Sequence, residues 1–99
     1  GVTFKADIGD QRESPARPLA VQLLTMGAEV RYFDPYVDNF LVNDWQLPSV
    51  GDLASAVEWS DLVVLIQAHS EIVGSETLVG ASRILDTRGV LLGDNVEWL

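Results

Sequence analysis

Apolar positions repeat at helical spacing early in the chain and then fall into short continuous runs, so the period of the pattern changes along the sequence. Ala16, Leu19, Ala20, Leu23 and Leu24 make one apolar stripe. Ser14 stands where an N-cap is expected, Pro15 occupies the first helical position at no hydrogen-bond cost, and Gly27 supplies a left-handed stop. Upstream, residues 1–4 read as the tail of a short strand and residues 5–13 as a polar, glycine-containing loop. Residues 28–33 are rich in strand formers and end at Asp34-Pro35. Residues 36–51 look irregular, and residues 52–59 predict a short amphipathic helix carrying Leu53, Ala54, Ala56 and Val57. Residues 62–66 form a continuous apolar run, as expected of a central strand covered on both faces. Residues 77–80 predict a partial helical turn and residues 83–85 another strand, ending at Asp86-Thr87-Arg88-Gly89. The tail to Leu99 has no decisive period.

This alternation of strands and helices predicts an α/β fold, a three-layer Rossmann-like parallel sheet with helices on both faces. Ligands in such sheets sit beyond the carboxyl ends of the strands. The loops at 5–13 and 86–89 both follow strands, so Lys5, Arg12 and Arg88 are expected to meet near one crevice. That expectation requires the first and last strands to lie close across the sheet.

At 99 residues and 47% hydrophobic, the chain is long enough for one domain with a real core. Its first residue falls inside a motif, which predicts a piece of a longer enzyme. Cysteine is absent, which removes a disulfide framework, a thiolate zinc site and a cysteine nucleophile, and fits a cytoplasmic setting. The longest apolar run is far too short to span a membrane. Fifteen acids against six bases give a net charge of −9, which repels a nucleic-acid backbone and makes each of the few cations informative.

The best candidate constellation is an anion site. Lysine offers a point charge, arginine a planar fork for phosphate oxygens, and Phe4 a flat face beside Lys5 on which a base could stack. The plainer alternative pairs Arg12 and Glu13 with neighbouring acids and places Phe4 in the core; the sequence leaves both open. A dinucleotide fingerprint is missing, because no G-x-G-x-x-G precedes Ser14. Without those glycines Asp34 reads as the cap of a turn with Pro35, not as a ribose ligand. His69-Ser70-Glu71 is no catalytic triad, since adjacent residues cannot form that relay; His69 reads as a hydrogen-bonded loop histidine and Ser70 as a cap. Asp7/Asp10 and Asp94/Glu97 match no metal-loop spacing and read as solvated surface, so no metal site is expected. Trp59 is expected in the core, while Trp45 and Trp98 are open. No believable catalytic set remains, which points to a binding or assembly module.

Gly1-Val2-Thr3-Phe4-Lys5, followed by Asp7, Asp10 and Arg12-Glu13-Ser14-Pro15-Ala16, resembles the GxxFKxxxxDxRESPA segment of the UDP-glucose/GDP-mannose dehydrogenase family, at the opening of its C-terminal UDP-binding domain. Gly27-Ala28-Glu29-Val30 with Tyr32-Phe33-Asp34-Pro35 is similar to that family's GAxVxxYDP stretch, with Phe33 in the tyrosine slot. Residues 56–66 and Asp86-Thr87-Arg88 resemble its later strand and its D-x-R. The resemblance implies a UDP-sugar 6-dehydrogenase that oxidises a UDP-sugar to the uronate with two NAD. It implies that Phe4, Lys5 and Arg88 contact the substrate and that Arg12 reaches toward NAD held mainly by an N-terminal domain. It further implies N-terminal and central domains as partners, a homo-oligomeric parent, and catalytic residues outside this chain, so that the chain alone binds without turnover. The rivals are a dimerisation module of the same fold without nucleotide contact and a freestanding small-molecule sensor. After Gly89 the sequence departs from the family pattern, which puts the last strand in doubt.

Overall fold

The computed structural model describes residues 1–99. Its elements run α1 (Ala16–Thr25), a β1–β2 hairpin (Leu41–Val42 and Trp45–Gln46), α2 (Leu53–Trp59), β3 (Val63–Leu65), α3 (Ser70–Val73), a 3₁₀ turn (Glu76–Gly80), β4 (Ile84–Asp86) and β5 (Val96–Trp98). Strands β3, β4 and β5 form a parallel sheet in that order, with Val63 opposite Ile84 and Ile84 opposite Val96.

Side chains alternate across a strand, and β3 sorts them cleanly. Val64 and Ile66 pack with Ala16, Ala20 and Phe40, whereas Val63 and Leu65 pack with Val57, Leu78 and Ile84. Helix α1 therefore covers one face, and α2 with the 3₁₀ turn covers the other. The expected three-layer Rossmann-like α/β arrangement is present.

Local chemistry sets the element ends. Ser14 Oγ accepts the Ala16 N–H at 3.1 Å, and Gly27 leaves α1 at φ +88°, where a side chain would be strained. Asp52 caps α2 by accepting the Ser55 N–H at 2.8 Å. The β1–β2 turn places Asn43 and Asp44 at φ 48° and 67°, the two successive left-handed residues of a tight hairpin.

Several elements differ from expectation. Residues 1–4 join no strand ladder: the Val2 N–H goes to Asp34 Oδ2 at 2.7 Å, and Gln67 Nε2 donates to the Phe4 carbonyl at 2.8 Å. Residues 28–33 make one bridge, Tyr32 to Ser49, in place of a strand. The segment expected to be irregular contains the hairpin, and the undecided tail supplies β5. Trp59 is not core; it is 38% exposed, with the Arg31 guanidinium 4.2 Å from its ring centre.

Asp86 ends β4 and organises the loop beyond it. Its side chain is fully buried, and its two oxygens accept the N–H groups of Arg88, Gly89, Val90 and Leu91 at 2.7–3.0 Å. Burial pushes its pKa up, but the four amide bonds outweigh burial and hold it below the usual 3.8. A depressed native pKa stabilises the fold above the unfolded value, and that contribution is lost as pH falls through the native one. Asp86→Ala should therefore cost about 3 kcal/mol at neutral pH. In urea titrations the gap to the parent chain should narrow as pH drops below 3.8; equal midpoints at neutral pH would show that the loop holds without the carboxylate.

Candidate functional site

The loop at 3–13 and the loop after β4 are both anchored to the carboxyl end of β3. Thr87 donates its N–H and its hydroxyl to the Leu65 carbonyl at 3.1 and 2.7 Å. Two residues on, Gln67 holds the Phe4 carbonyl. Lys5 and Arg88 thus leave the fold at the same sheet rim, from loops fastened two residues apart.

Beneath that rim lies a buried polar joint. Asp34 and His69 have no exposed side-chain surface, and His69 Nε2 sits 2.8 Å from Asp34 Oδ2. The Asp7 N–H donates to His69 Nδ1 at 2.8 Å, so the ring proton is on Nε2 and is given to Asp34, with Thr3 Oγ1 at 3.2 Å as a second acceptor. Thr3 in turn donates its hydroxyl to the Lys5 carbonyl at 2.7 Å. Asp34 also accepts the Val2 and Tyr36 N–H groups at 2.7 and 2.8 Å. Asp7, at φ 62°, turns its carboxylate onto the Ser70 N–H and hydroxyl at 2.7 and 2.6 Å, and these bonds hold its pKa below the usual range. Ser70 is accordingly a donor to Asp7 and not a cap.

The cations divide by what already holds them. Arg17 donates to the Gln11 carbonyl and side chain at 2.6 and 2.7 Å and lies 4.8 Å from the centre of the Phe40 ring. Arg31 stacks on Trp59 and pairs with Glu29 at 3.4 Å. Arg12 forms a fork on Asp10, at 2.9 and 2.8 Å, which holds the Asp10 pKa down to about 2. Lys5, Arg83 and Arg88 make no ion pair, and Arg83 precedes β4 at the opposite end of the strand. Lys5 and Arg88 are therefore the two free cations at the carboxyl-end rim, both exposed, with Phe4 beside Lys5 at 48% exposure. The plainer alternative holds for Arg12, which pairs locally, and fails for Phe4, which is not core.

The four expected site residues do not touch one another through any hydrogen bond or ion pair. The loop backbone after β4 does not supply an anion cradle either, since Asp86 already takes its N–H groups. The start of α1 is no pyrophosphate cradle: Pro15 and Pro18 lack an N–H, and Ser14 Oγ takes that of Ala16. The polar joint was visible in sequence only as an isolated His69 and an Asp34-Pro35 turn, because its members lie up to 66 residues apart. No group of three or more metal-binding side chains occurs. No helix is long and apolar enough to cross a membrane.

A parallel sheet with helices packed on both faces defines an α/β domain of Rossmann-like type. Residues 1–93 match the UDP-glucose/GDP-mannose dehydrogenase family, UDP binding domain, and the chain belongs to that family. It is similar to the UDP-N-acetyl-D-mannosamine dehydrogenase of Methanocaldococcus jannaschii, 32% identical over 92% of this chain and 22% of that protein. It is also similar to the UDP-glucose 6-dehydrogenase of Rickettsia bellii, 31% identical over 98% of this chain and 24% of that protein. The chain thus spans about a quarter or less of these relatives. No solved structure matches it at a significant level.

Replacing His69 by Leu leaves Asp34 buried without its strongest partner. The variant should lose about 3–5 kcal/mol of stability in urea titrations, with His69→Gln recovering part by restoring a donor. A His69→Leu chain as stable as the parent would show that the joint does not hold the loop.

Proposed function

We propose that this chain is the UDP-binding, C-terminal part of a UDP-sugar 6-dehydrogenase that oxidises the sugar to a uronate with two NAD. The single observation that carries the reading is the pair of unpaired cations, Lys5 and Arg88, on loops fastened to the same end of β3, in a chain of net charge −9. An acidic surface offers a diphosphate few places to land, and this rim is one.

Each residue has a defined task in this reading. Lys5 supplies a mobile point charge and Arg88 a planar fork to the diphosphate, while the half-exposed Phe4 ring packs against the nucleoside. Asp86 orients Arg88 by holding its backbone N–H. Binding energy gathered here positions the sugar for chemistry performed elsewhere in the parent enzyme. Hydride acceptance belongs to NAD, and the residues of this chain do not fit it as a site: a glycine-rich turn is lacking and Arg12 is held by Asp10. Arg12 would reach the cofactor only by exchanging Asp10 for it. With no cysteine and no nucleophile–base pair, the chain by itself binds and does not turn over. The N-terminal and central domains, homo-oligomeric assembly and a cytoplasmic location are part of the same proposal.

The second reading, an assembly module without nucleotide contact, draws on exposed apolar side chains at Leu92, Trp98 and Leu99. Titration of UDP decides between them. Lys5→Ala and Arg88→Ala should each weaken UDP binding, or kcat/KM for the UDP-sugar in the full enzyme, by about 1.5–3 kcal/mol per lost charge-assisted contact. Arg83→Ala, at the other end of β4, should leave both unchanged. Equal affinity across all three variants would favour the assembly reading.

A further inference from the structure

The apolar run of β3 ends at Ile66, and the next residue is a glutamine that the fold keeps inside: Gln67 is 3% exposed. Glutamine is mostly a surface residue, and a buried amide costs stability unless both of its ends are paired. Here the pairing has one sense. Oε1 accepts the Ala68 N–H at 2.9 Å, which turns Nε2 toward the loop at 3–13. There it donates to the Phe4 carbonyl at 2.8 Å and to the Thr3 carbonyl at 3.4 Å. A flipped amide would set oxygen against oxygen.

Buried Thr3 continues the pattern by donating its hydroxyl to the Lys5 carbonyl at 2.7 Å. Three successive carbonyls, those of residues 3–5, are thus tied to two buried side chains, while the Phe4 and Lys5 side chains stay exposed. The one other backbone bond of residues 4–6 runs from the Phe4 N–H to the Asp10 carbonyl at 2.9 Å. None of residues 4–9 is buried, so apolar packing adds little to hold this stretch. The place of the Lys5 charge therefore depends on polar ties to its backbone, and the shortest tie from another part of the chain to residues 4–6 is that of Gln67.

We infer that Gln67 is a positioning residue of the rim, fixing the backbone from which Phe4 and Lys5 project. Thr87 does the same for the Arg88 loop, which it fastens to the Leu65 carbonyl two residues earlier on the same strand. The end of β3 thereby sets the span between the two cations. A ligand with linked phosphates gains when that span is fixed before it binds, because less ordering is left to be done. The inference rests on the UDP reading for its ligand, but not for the placing of the loop.

Two variants test it. Gln67→Met keeps a side chain of similar length without the donor, and Gln67→Glu keeps the shape but donates only when protonated. Without ligand, amide ¹⁵N relaxation should give Phe4 and Lys5 order parameters of about 0.85 in the parent chain and below about 0.6 in Gln67→Met, with Arg88 unchanged. Retained order at Phe4 and Lys5 would overturn the inference whether or not UDP binds. Should Gln67→Met not fold, Gln67→Glu carries the same measurement, ordered at low pH and loosened at high pH.

In UDP titrations Gln67→Met should weaken binding by roughly 10-fold. Adding Lys5→Ala to it should cost less than about 2-fold more, because the charge is already misplaced. Thr87→Val acts through Arg88, so its effect should multiply with that of Lys5→Ala. Gln67→Glu should bind weakly at about pH 8 and regain affinity relative to the parent as pH falls and the buried carboxyl takes up its proton. Lost packing alone gives no such profile. Full additivity of Gln67→Met with Lys5→Ala, or a Gln67→Glu profile parallel to that of the parent, would overturn the inference. A parent chain that binds no UDP, with loop order still lost in Gln67→Met, would strike down the UDP reading and leave the positioning role standing.

Discussion

The rest of the structure hangs on the buried contact between Asp34 and His69. Two polar side chains with no exposed surface are tolerable only if their polar atoms find partners, and here each atom does. Asp34 takes the Val2 and Tyr36 amides besides the imidazole, while His69 takes the Asp7 amide on its other nitrogen. That one contact joins the end of residues 28–33, the segment after β3 and the loop that carries Phe4 and Lys5. The rim inherits its shape from this buried joint.

Function follows from a division of charge labour above that joint. Half of the six bases are occupied: Arg17 clamps the start of α1, Arg31 covers Trp59 and Arg12 closes on Asp10. What is left free at the carboxyl rim is a lysine and an arginine on separate loops, with an aromatic next to the lysine. In the proposed reading this pair meets an extended anion with a flat group attached.

Residues 1–4 are anchored by side chains where a ladder would be expected. The rim is braced where Asp34, His69, Gln67 and Asp86 meet it.

Much of the fold was legible in local pattern. The Ser14–Pro15 start and Gly27 stop of α1, the short helix over 52–59 and the apolar run into β3 are decided by residues within one or two turns of each other. The family resemblance likewise rests on contiguous segments. Residues 28–33 and 1–4 carry strand-forming sequence and still make no ladder, because a strand needs a neighbour and propensity cannot supply one. The hairpin at Asn43-Asp44 and the final strand β5 went unread for a related reason: two- and three-residue strands have no period to detect. The pairing of Asp34 with His69 and the placing of Lys5 and Arg88 on one sheet rim are facts of tertiary structure, whereas Arg12 pairs with Asp10 only two residues away. Sequence by itself determined which residue types were on hand and where helices begin and end, because those choices are made over a few covalent bonds. Only the folded chain decided how the buried polar joint is assembled, since that depends on groups brought together from more than sixty residues apart.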